Sequence, residues 1–309
     1  MRIGVMGSGA VGAYFGAKLA AAGHEISFIA RGRHLDAIKR SGLKVRSPNG
    51  DLHIENAQCS ADPQSVGRVD LVLFCVKSYD SESAGQAIAP MVSDQTRILS
   101  LQNGIDNPDK LARIYGEPRV LPAVVYVGAQ LSAPGLITHS SGGRIIFGQL
   151  DGAVNDQTKT LAQIFTAAGI PCETSGDIRK VQWTKLLWNA PFCAISCLTH
   201  ANTLQIVESP ALTQLAMDCM AEVQRAARTQ GVELPAQLCA DALAFSKTLG
   251  TFKPSMLQDL EANKPLEYAA INGIVVKLLE NLRQAAPINK TFSAVLEFLD
   301  QRIRQEVNH

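Results

Sequence analysis

The chain has 309 residues, of which 46% are apolar and 18% are charged, a composition typical of a globular protein with room for two domains. Its 29 basic and 28 acidic residues nearly cancel, so no overall field favours nucleic acid or an anionic membrane as a partner. No apolar run approaches the roughly 20 residues that span a bilayer. The seven cysteines are odd in number and none pairs in a C-x-x-C spacing. We therefore expect a cytoplasmic protein with free thiols and no metal site.

The first half alternates short apolar runs with helical patterns. Strands are predicted over residues 2–6, 25–30, 69–76, 97–101 and 120–127, and a small-residue helix over 10–22. Continuous apolar strands alternating with helices indicate a parallel sheet buried on both faces. Pro48-Asn49-Gly50 predicts a hairpin between residues 43–47 and 52–55. Two short late strands, 137–138 and 144–148, are expected on either side of Gly142-Gly143.

The pattern changes near residue 175 to helices alone. Ser209-Pro210 is an N-cap followed by proline, and the helix it begins can run to Gly231. A second helix is expected over 235–250, and apolar stripes at helical spacing occupy 266–282 and 292–299. We therefore predict an α/β Rossmann domain, doubly wound with a mainly parallel sheet, at residues 1–175 and an all-α domain at 176–309. The long apolar helices would bury either one another or a second copy in a homodimer.

A glycine-rich motif, G-x-G-x-x-G, lies between the first predicted strand and the first predicted helix. This context is typical of dinucleotide binding, because the first glycine allows a tight turn and the second lets the backbone approach a pyrophosphate. The third glycine lets the helix pack closely on the strand, and the helix N-terminus attracts the phosphates. The predicted cofactor-binding residues of this motif are Gly7, Ser8, Gly9, Ala10, Val11 and Gly12.

The end of the second strand predicts which dinucleotide binds. NAD-specific sites usually place an acid there to hold the ribose 2′-hydroxyl, but this chain has Ala30-Arg31-Gly32-Arg33. An arginine can instead bind a 2′-phosphate through two charge-assisted hydrogen bonds. We therefore predict NADP(H) as the cofactor and Arg31 as its main ligand, the alternative being a solvated arginine at the start of a loop.

Two further residues follow predicted strands. Lys77 comes after the buried strand that ends at Val76, and Asn103-Gly104 comes after the next strand. Ligands of open α/β sheets bind at the carboxyl ends of the strands, so both residues are candidates for the cofactor and substrate site. Either residue could also belong to an ordinary loop and bind no ligand, since Asn-Gly is a common turn.

The helical half begins with a polar face among large apolar residues. Lys185, Asn189 and Cys193 are spaced i, i+4 and i+8 and so share one face of a helix, which Pro191 is expected to kink. The common alternative for such a lysine is to snorkel from a core helix to solvent. Farther on, Asn263-Lys264-Pro265 is expected to begin a helix with Glu267 in its first turn, where the helix dipole by itself favours a carboxylate.

These motifs together resemble the ketopantoate reductase (2-dehydropantoate 2-reductase) family of pantothenate biosynthesis. The resemblance covers nearly the whole chain and follows several motifs in order. They are GSGAVG with Arg31, Val76-Lys77, Gln102-Asn103-Gly104, the W-x-K-x-x-x-N helix at 183–189, the SMLQD segment at 255–259, and Glu267 before Ile271-Asn272-Gly273.

The resemblance implies a role for each matching residue. Lys185 matches the family's general acid and Glu267 the glutamate that assists it. Asn189 and Ser255 match residues that contact substrate, while Lys77 and Asn103 match residues near the nicotinamide and substrate. Hydride attack on a 2-oxo acid builds negative charge on the ketone oxygen, which an ammonium would stabilise and then protonate. The reaction is expected where the two domains meet.

Two positions depart from the family pattern. The family commonly has asparagine where this chain has Cys193, and an acid where it has Ala269. Both changes remove polar groups from the expected substrate-binding wall, and losing such groups relaxes discrimination between substrates. Three hypotheses stay open: NADPH-dependent reduction of 2-dehydropantoate to pantoate, reduction of another branched or bulky 2-oxo acid, and an NADP(H) sensor without turnover.

Overall fold

The computed structural model describes residues 1–307, and the chain divides into two units. The first unit contains residues 1–103 and 107–178. The second contains residues 104–106 together with the chain from Arg179 onward. The units therefore divide after Ile178, whereas the sequence placed a domain boundary after residue 175. The short segment 104–106 packs with the helices, because the Arg179 guanidinium donates to the Ile105 carbonyl at 3.1 Å.

The first unit is built on one mixed sheet. Its strands are β1 Arg2–Met6, β2 Glu25–Ile29, β3 Leu43–Arg46, β4 Leu52–Ile54, β5 Gln58–Ser60, β6 Leu71–Phe74, β7 Arg97–Ser100, β8 Val120–Ala133, β9 Leu136–Phe147 and β10 Cys172–Thr174. They lie in the order β4-β3-β9-β8-β7-β6-β1-β2-β5, with β10 beside β9. Among these described strands only β3–β4 and β8–β9 pair antiparallel, which confirms the predicted mainly parallel sheet.

Helices cover both faces of this sheet. They are α1 Ala10–Ala21, α2 Gly32–Ser41, α3 Ser81–Ala87, α4 Asn107–Tyr115 and α5 Asp156–Ala167. Strand β6 shows why its sequence is apolar throughout: Leu71 and Leu73 enter one core cluster, while Val72 and Phe74 enter another. Successive side chains of a strand point to opposite faces, so both faces of β6 are buried.

The hairpin predicted around Pro48-Asn49-Gly50 is confirmed, because β3 and β4 pair antiparallel. The two late strands predicted on either side of Gly142-Gly143 are wrong. Residues 136–147 form the single strand β9, which pairs with β8 through several register shifts. Gly142 and Gly143 lie within this strand and have positive φ angles of 72° and 112°. They lie opposite Tyr126 and Val127 of β8, where the pairing register between the two strands shifts. The glycines thus accommodate a bulge rather than end a strand.

Within the described residues, all regular secondary structure of the second unit is helical, which confirms the all-α prediction. Its helices are α6 Ile178–Thr199, α7 Thr203–Glu208, α8 Pro210–Thr229, α9 Gln237–Thr248, α10 Ser255–Glu261, α11 Ile274–Glu280 and α12 Pro287–Val307. A π-helical segment, Ala269–Gly273, runs directly into α11. The Ser209 hydroxyl caps α8 by accepting from the Leu212 amide at 3.4 Å, as its sequence predicts. Within residues 1–307, no helix combines the length and apolar character needed to cross a membrane.

Candidate functional site

The glycine-rich turn follows β1 and leads into α1. Gly7 has a φ of 91°, and a Cβ there would lie 2.7 Å from the Val76 backbone nitrogen, so only glycine fits. A Cβ on Gly12 would collide with the Gly7 carbonyl oxygen. Gly9, by contrast, is the N-cap of α1, and no heavy atom lies within 4 Å of where its Cβ would be. The turn is therefore closed against the protein and open at Gly9, as the approach of a pyrophosphate requires.

Four parallel strands bring the predicted cofactor residues to one edge of the sheet. Strands β7, β6, β1 and β2 are neighbours in that order, and all run in the same direction. Asn103, Lys77, the turn at Gly7 and Arg31 follow their carboxyl ends in the same order. The edge thus presents cationic and amide groups around the N-terminus of α1, whose first turn holds no acid.

Arg31 lies at the end of β2 and is the N-cap residue of α2. Its backbone is extended and its side chain is exposed, so the guanidinium can reach a ligand at this edge. Ser8 is buried instead: its amide donates to the Ile29 carbonyl at 3.0 Å and its hydroxyl to the Val5 carbonyl at 3.4 Å. A role for Ser8 in cofactor binding stays a prediction that depends on its backbone position, not on its hydroxyl.

A buried amide network holds the loops that carry Lys77 and Asn103. The Gln102 amide donates to the Val76 carbonyl at 2.9 Å and to the Ser81 hydroxyl at 2.7 Å. Ser81 in turn donates to the side chain of Asn107, whose amide donates to the Asn103 carbonyl at 2.6 Å. Strand β6 ends at Phe74, earlier than the predicted Val76, and Lys77 is half-buried at the start of a short 3₁₀ turn.

Helix α6 carries the polar face predicted for the second unit. The helix continues unbroken through Pro191, and Lys185 and Asn189 lie one turn apart on it. Lys185 is half-buried, Asn189 is 5% exposed and Cys193 is fully buried. Two tryptophans anchor the same helix in the second unit. Trp183 is buried, and the Trp188 indole donates to the Ser246 hydroxyl at 2.9 Å.

Burial lowers the pKa of the Lys185 ammonium from its ordinary value of 10.5 to about 8. The negative charge of Glu267, and that of Cys193 in its thiolate form, acts in the opposite direction and raises this pKa. The ammonium therefore shares an electrostatic environment with the thiol and the carboxylate. A lysine with a pKa near neutrality can hold a proton and release it, which is the property a general acid needs.

Glu267 is buried, with 6% of its surface exposed, but the predicted helix start around it is wrong. Asn263 has a φ of 49°, and the next amide, that of Lys264, donates back to the Asp259 carbonyl at 2.9 Å. Asn263 therefore ends α10 and does not begin the next helix, which starts only at Tyr268. Glu267 precedes that helix and is not in its first turn.

The remaining predicted substrate residue, Ser255, is exposed and begins α10. Asn272, in the motif Ile271-Asn272-Gly273, received no role from the sequence. It is fully buried in the π-helical segment, and its amide donates to the Ala190 carbonyl of α6 at 3.0 Å. This bond ties the segment after Glu267 to the helix that carries Lys185, and only the three-dimensional fold reveals it.

A further residue missed from the sequence is His34, in the first turn of α2. Its Nε2 hydrogen-bonds to the Ser8 carbonyl of the glycine-rich turn at 2.8 Å, and its Nδ1 accepts from the Gly135 amide at 2.9 Å. Its position three residues after Arg31 is the only sequence signal that could have drawn attention to it.

Comparisons with known proteins match most of the chain to one family. Residues 3–152 match the family described as "Ketopantoate reductase PanE/ApbA", and residues 177–300 match "Ketopantoate reductase PanE/ApbA C terminal". A 2-dehydropantoate 2-reductase of Mesorhizobium japonicum is 32% identical over 317 residues, covering 96% of each chain.

Solved structures of similar proteins cover almost the whole chain. A PanE/ApbA family ketopantoate reductase from Ralstonia eutropha JMP134 is 34% identical with a TM-score of 0.91, covering 98% of this chain and 100% of that one. A 2-dehydropantoate 2-reductase from Geobacter metallireducens GS-15 is 33% identical with a TM-score of 0.92, covering 96% and 99%. The chain belongs to the ketopantoate reductase family.

Proposed function

We propose that this chain reduces 2-dehydropantoate to pantoate with NADPH. The observation that carries the proposal is the pKa of Lys185, a half-buried lysine near Glu267, which is lowered to about 8. The same chain has a glycine-rich turn of the type that binds dinucleotides. Family membership supports the same reaction, since relatives of similar length are named 2-dehydropantoate 2-reductases. We further propose a cytoplasmic location, which the seven free cysteines support.

The first unit has the groups that would hold NADPH. The open turn at Gly9 and the N-terminus of α1 suit the pyrophosphate, and the exposed Arg31 suits the 2′-phosphate. When bound, NADPH supplies a hydride for the ketone carbon. Lys77 and Asn103 follow neighbouring strands at the same sheet edge, so we assign them to the nicotinamide side of the cofactor and to the substrate.

The second unit has the groups that would donate the proton to the ketone oxygen and bind the substrate. Lys185 Nζ donates a proton to the ketone oxygen as charge develops there, and solvent returns the proton afterwards. Glu267 keeps the ammonium protonated by raising its pKa against the effect of burial. Asn189 and Ser255 supply an amide and a hydroxyl that can donate to the substrate carboxylate or hydroxyl.

A second candidate is the reduction of another branched or bulky 2-oxo acid. Position 193 supports it, because a fully buried thiol stands where the family commonly has an amide. Ala269 supports it too, since this exposed position lacks the family's acid. A site with fewer polar groups discriminates less strongly between acids of different shape.

The test is a substrate panel. NADPH oxidation is followed with 2-dehydropantoate and with branched and aromatic 2-oxo acids, and NADH is run beside NADPH. The highest kcat/KM is expected for 2-dehydropantoate with NADPH. Turnover of another acid while 2-dehydropantoate is inert would establish the second candidate instead. Binding of NADPH with no turnover of any acid would indicate a sensor.

A further inference from the structure

The side chain of His34 links two backbone segments that are distant in sequence. Its Nε2 lies 2.8 Å from the carbonyl oxygen of Ser8, in the glycine-rich turn. Its Nδ1 lies 2.9 Å from the amide nitrogen of Gly135, between β8 and β9 and 101 residues away. Both bonds lie within the first unit, and the ring is partly buried between them.

The two bonds fix the protonation of the ring. An amide N–H can only donate, so Nδ1 must present a lone pair to Gly135. The single proton of the neutral imidazole therefore resides on Nε2, which donates it to the Ser8 carbonyl. Burial lowers the pKa of His34, which favours the neutral ring that this arrangement requires.

The Ser8 carbonyl belongs to the same peptide bond as the Gly9 N–H, so the orientation of one determines the orientation of the other. A trans peptide is planar, and its C=O and N–H point in opposite directions. Holding the Ser8 oxygen on the ring of His34 therefore directs the Gly9 N–H away from the ring. Gly9 is the N-cap of α1 and has open space around it, and the first N–H groups of a helix lack intrahelical acceptors.

We propose that His34 is a positioning residue for the cofactor pyrophosphate, holding the Ser8–Gly9 peptide so that the Gly9 N–H faces the bound phosphates. The inference rests on the proposed binding of NADP(H). It differs from the role of Arg31, since the pyrophosphate is common to NADPH and NADH whereas the 2′-phosphate belongs to NADPH alone. His34 should therefore affect both cofactors equally.

A purely structural role would depend on the bond to Gly135 as much as on the bond to Ser8. Two substitutions separate the bonds. The amide of His34→Gln extends as far as Nε2 and can donate to Ser8, but it has no acceptor at the Nδ1 position. His34→Asn places an oxygen near the Nδ1 position and can accept from Gly135, but it is too short to reach Ser8.

The experiment measures the dissociation constants of NADPH and NADH by the fluorescence of the reduced nicotinamide. For His34→Asn, both constants should rise by about tenfold, the order expected for losing one hydrogen bond that orients a ligand-binding group. For His34→Gln, both should stay near the wild-type values. His53→Asn is the matched control, since the His53 Nε2 also bonds to a carbonyl of this unit, that of Ser41 at 2.9 Å. Circular dichroism compares the thermal midpoints of all variants.

The outcomes are distinguishable. Wild-type protein that binds neither cofactor would overturn the proposed function. Wild-type binding with no loss in His34→Asn, or with a loss for NADPH alone, would overturn only the role of His34. Equal losses in His34→Asn and His34→Gln would show that the Ser8 bond is not the cause. Should His34→Asn fail to fold, His34→Gln still decides, because any large loss of affinity in that variant contradicts the proposal.

Discussion

Burial lowers the pKa of the Lys185 ammonium, the carboxylate of Glu267 raises it, and the net value is about 8. The two effects have different origins, since one is charge attraction and the other is lost hydration. Glu267 is itself buried, which strengthens the attraction by removing water from around the pair. The balance leaves Lys185 mostly protonated at neutral pH, yet close enough to its pKa to give up a proton.

Replacing Lys185 should remove the proton donor without removing the cofactor site. We expect Lys185→Ala to lower kcat by about 100-fold or more, the usual contribution of a general acid, with NADPH affinity unchanged. Steady-state kinetics and a fluorescence titration measure the two quantities. Lys180→Ala, at an exposed position on the same helix, is the control and should keep wild-type kcat. Equal losses of turnover and affinity would refute the assignment.

The pH dependence of reduction should follow the protonation of Lys185. Since the acid form donates the proton, kcat/KM should fall as the pH rises through about 8. Glu267→Gln removes a negative charge that favours the ammonium, so its pKa should drop and the falling limb should move to lower pH. The measurement is a pH profile of kcat/KM for both proteins. A falling limb that moves to higher pH in Glu267→Gln would contradict the electrostatic interaction between Glu267 and Lys185.

Lys185 should also lower the stability of the protein. Its pKa falls from 10.5 to about 8 on folding, so the unfolded chain holds this proton more tightly, and the unfavourable contribution of Lys185 to stability should diminish as the pH rises across that window. At pH 7 the charge is present in both states and the folded state bears the desolvation cost. Lys185→Met should therefore raise the free energy of unfolding by about 1–3 kcal/mol.

Urea unfolding followed by tryptophan fluorescence measures this gain, because both tryptophans, Trp183 and Trp188, lie on α6 in the helical unit. The gain in stability of Lys185→Met over the wild type should shrink as the pH rises from 8 to 10.5. Lys180→Met, at an exposed position of the same helix, should change the free energy of unfolding by less than about 1 kcal/mol. A stability of Lys185→Met at or below that of the wild type would argue against a desolvated ammonium.

Arg31 should determine the choice between NADPH and NADH. We expect Arg31→Ala to weaken NADPH by about 10- to 100-fold, the range for losing charge-assisted hydrogen bonds to a phosphate. NADH affinity should stay the same, because NADH lacks the 2′-phosphate. Arg40→Ala, at an exposed position near the far end of α2, is the control. A parallel loss of both cofactors would mean that Arg31 only supports the local structure.

A buried carboxylate should stabilise the helical unit independently of the chemistry. Glu222 is 4% exposed and accepts from the backbone amides of Ile288 and Asn289, at 2.9 and 2.8 Å, in the first turn of α12. Glu222→Ala would leave these amides unpaired inside the protein and should cost about 3 kcal/mol or more. Glu280→Ala, which breaks an exposed pair with Lys290, should cost less than about 1 kcal/mol. Urea midpoints compare the two, and similar losses would contradict the difference in burial.

Some of the site could be predicted because its signals are local. The turn at Gly7, the strand before it and the helix after it are adjacent in sequence, and their spacing follows from the geometry of a tight turn. The role proposed for Arg31 is predicted from an equally local signal, the absence of an acid at the end of β2. The cap at Ser209 is equally local, since its hydroxyl bonds to an amide three residues away.

Other features depend on segments that only folding brings together. Asn263 looks like a helix start, yet it ends the preceding helix because its backbone takes a left-handed conformation. Gly142 and Gly143 look like a turn, yet pairing with β8 along its length makes them a bulge. His34 received no role, because its partner Gly135 is 101 residues away.

The amino-acid sequence by itself determined the parallel α/β unit, the helical unit and the residue types available for dinucleotide and proton chemistry, since periodicity, caps and turns act over a few residues. The tertiary structure alone decided the pKa of Lys185, the burial of Glu267 and the bonds of His34. Desolvation and hydrogen bonding between distant segments depend on which groups surround a side chain, and that information does not exist until the chain has folded.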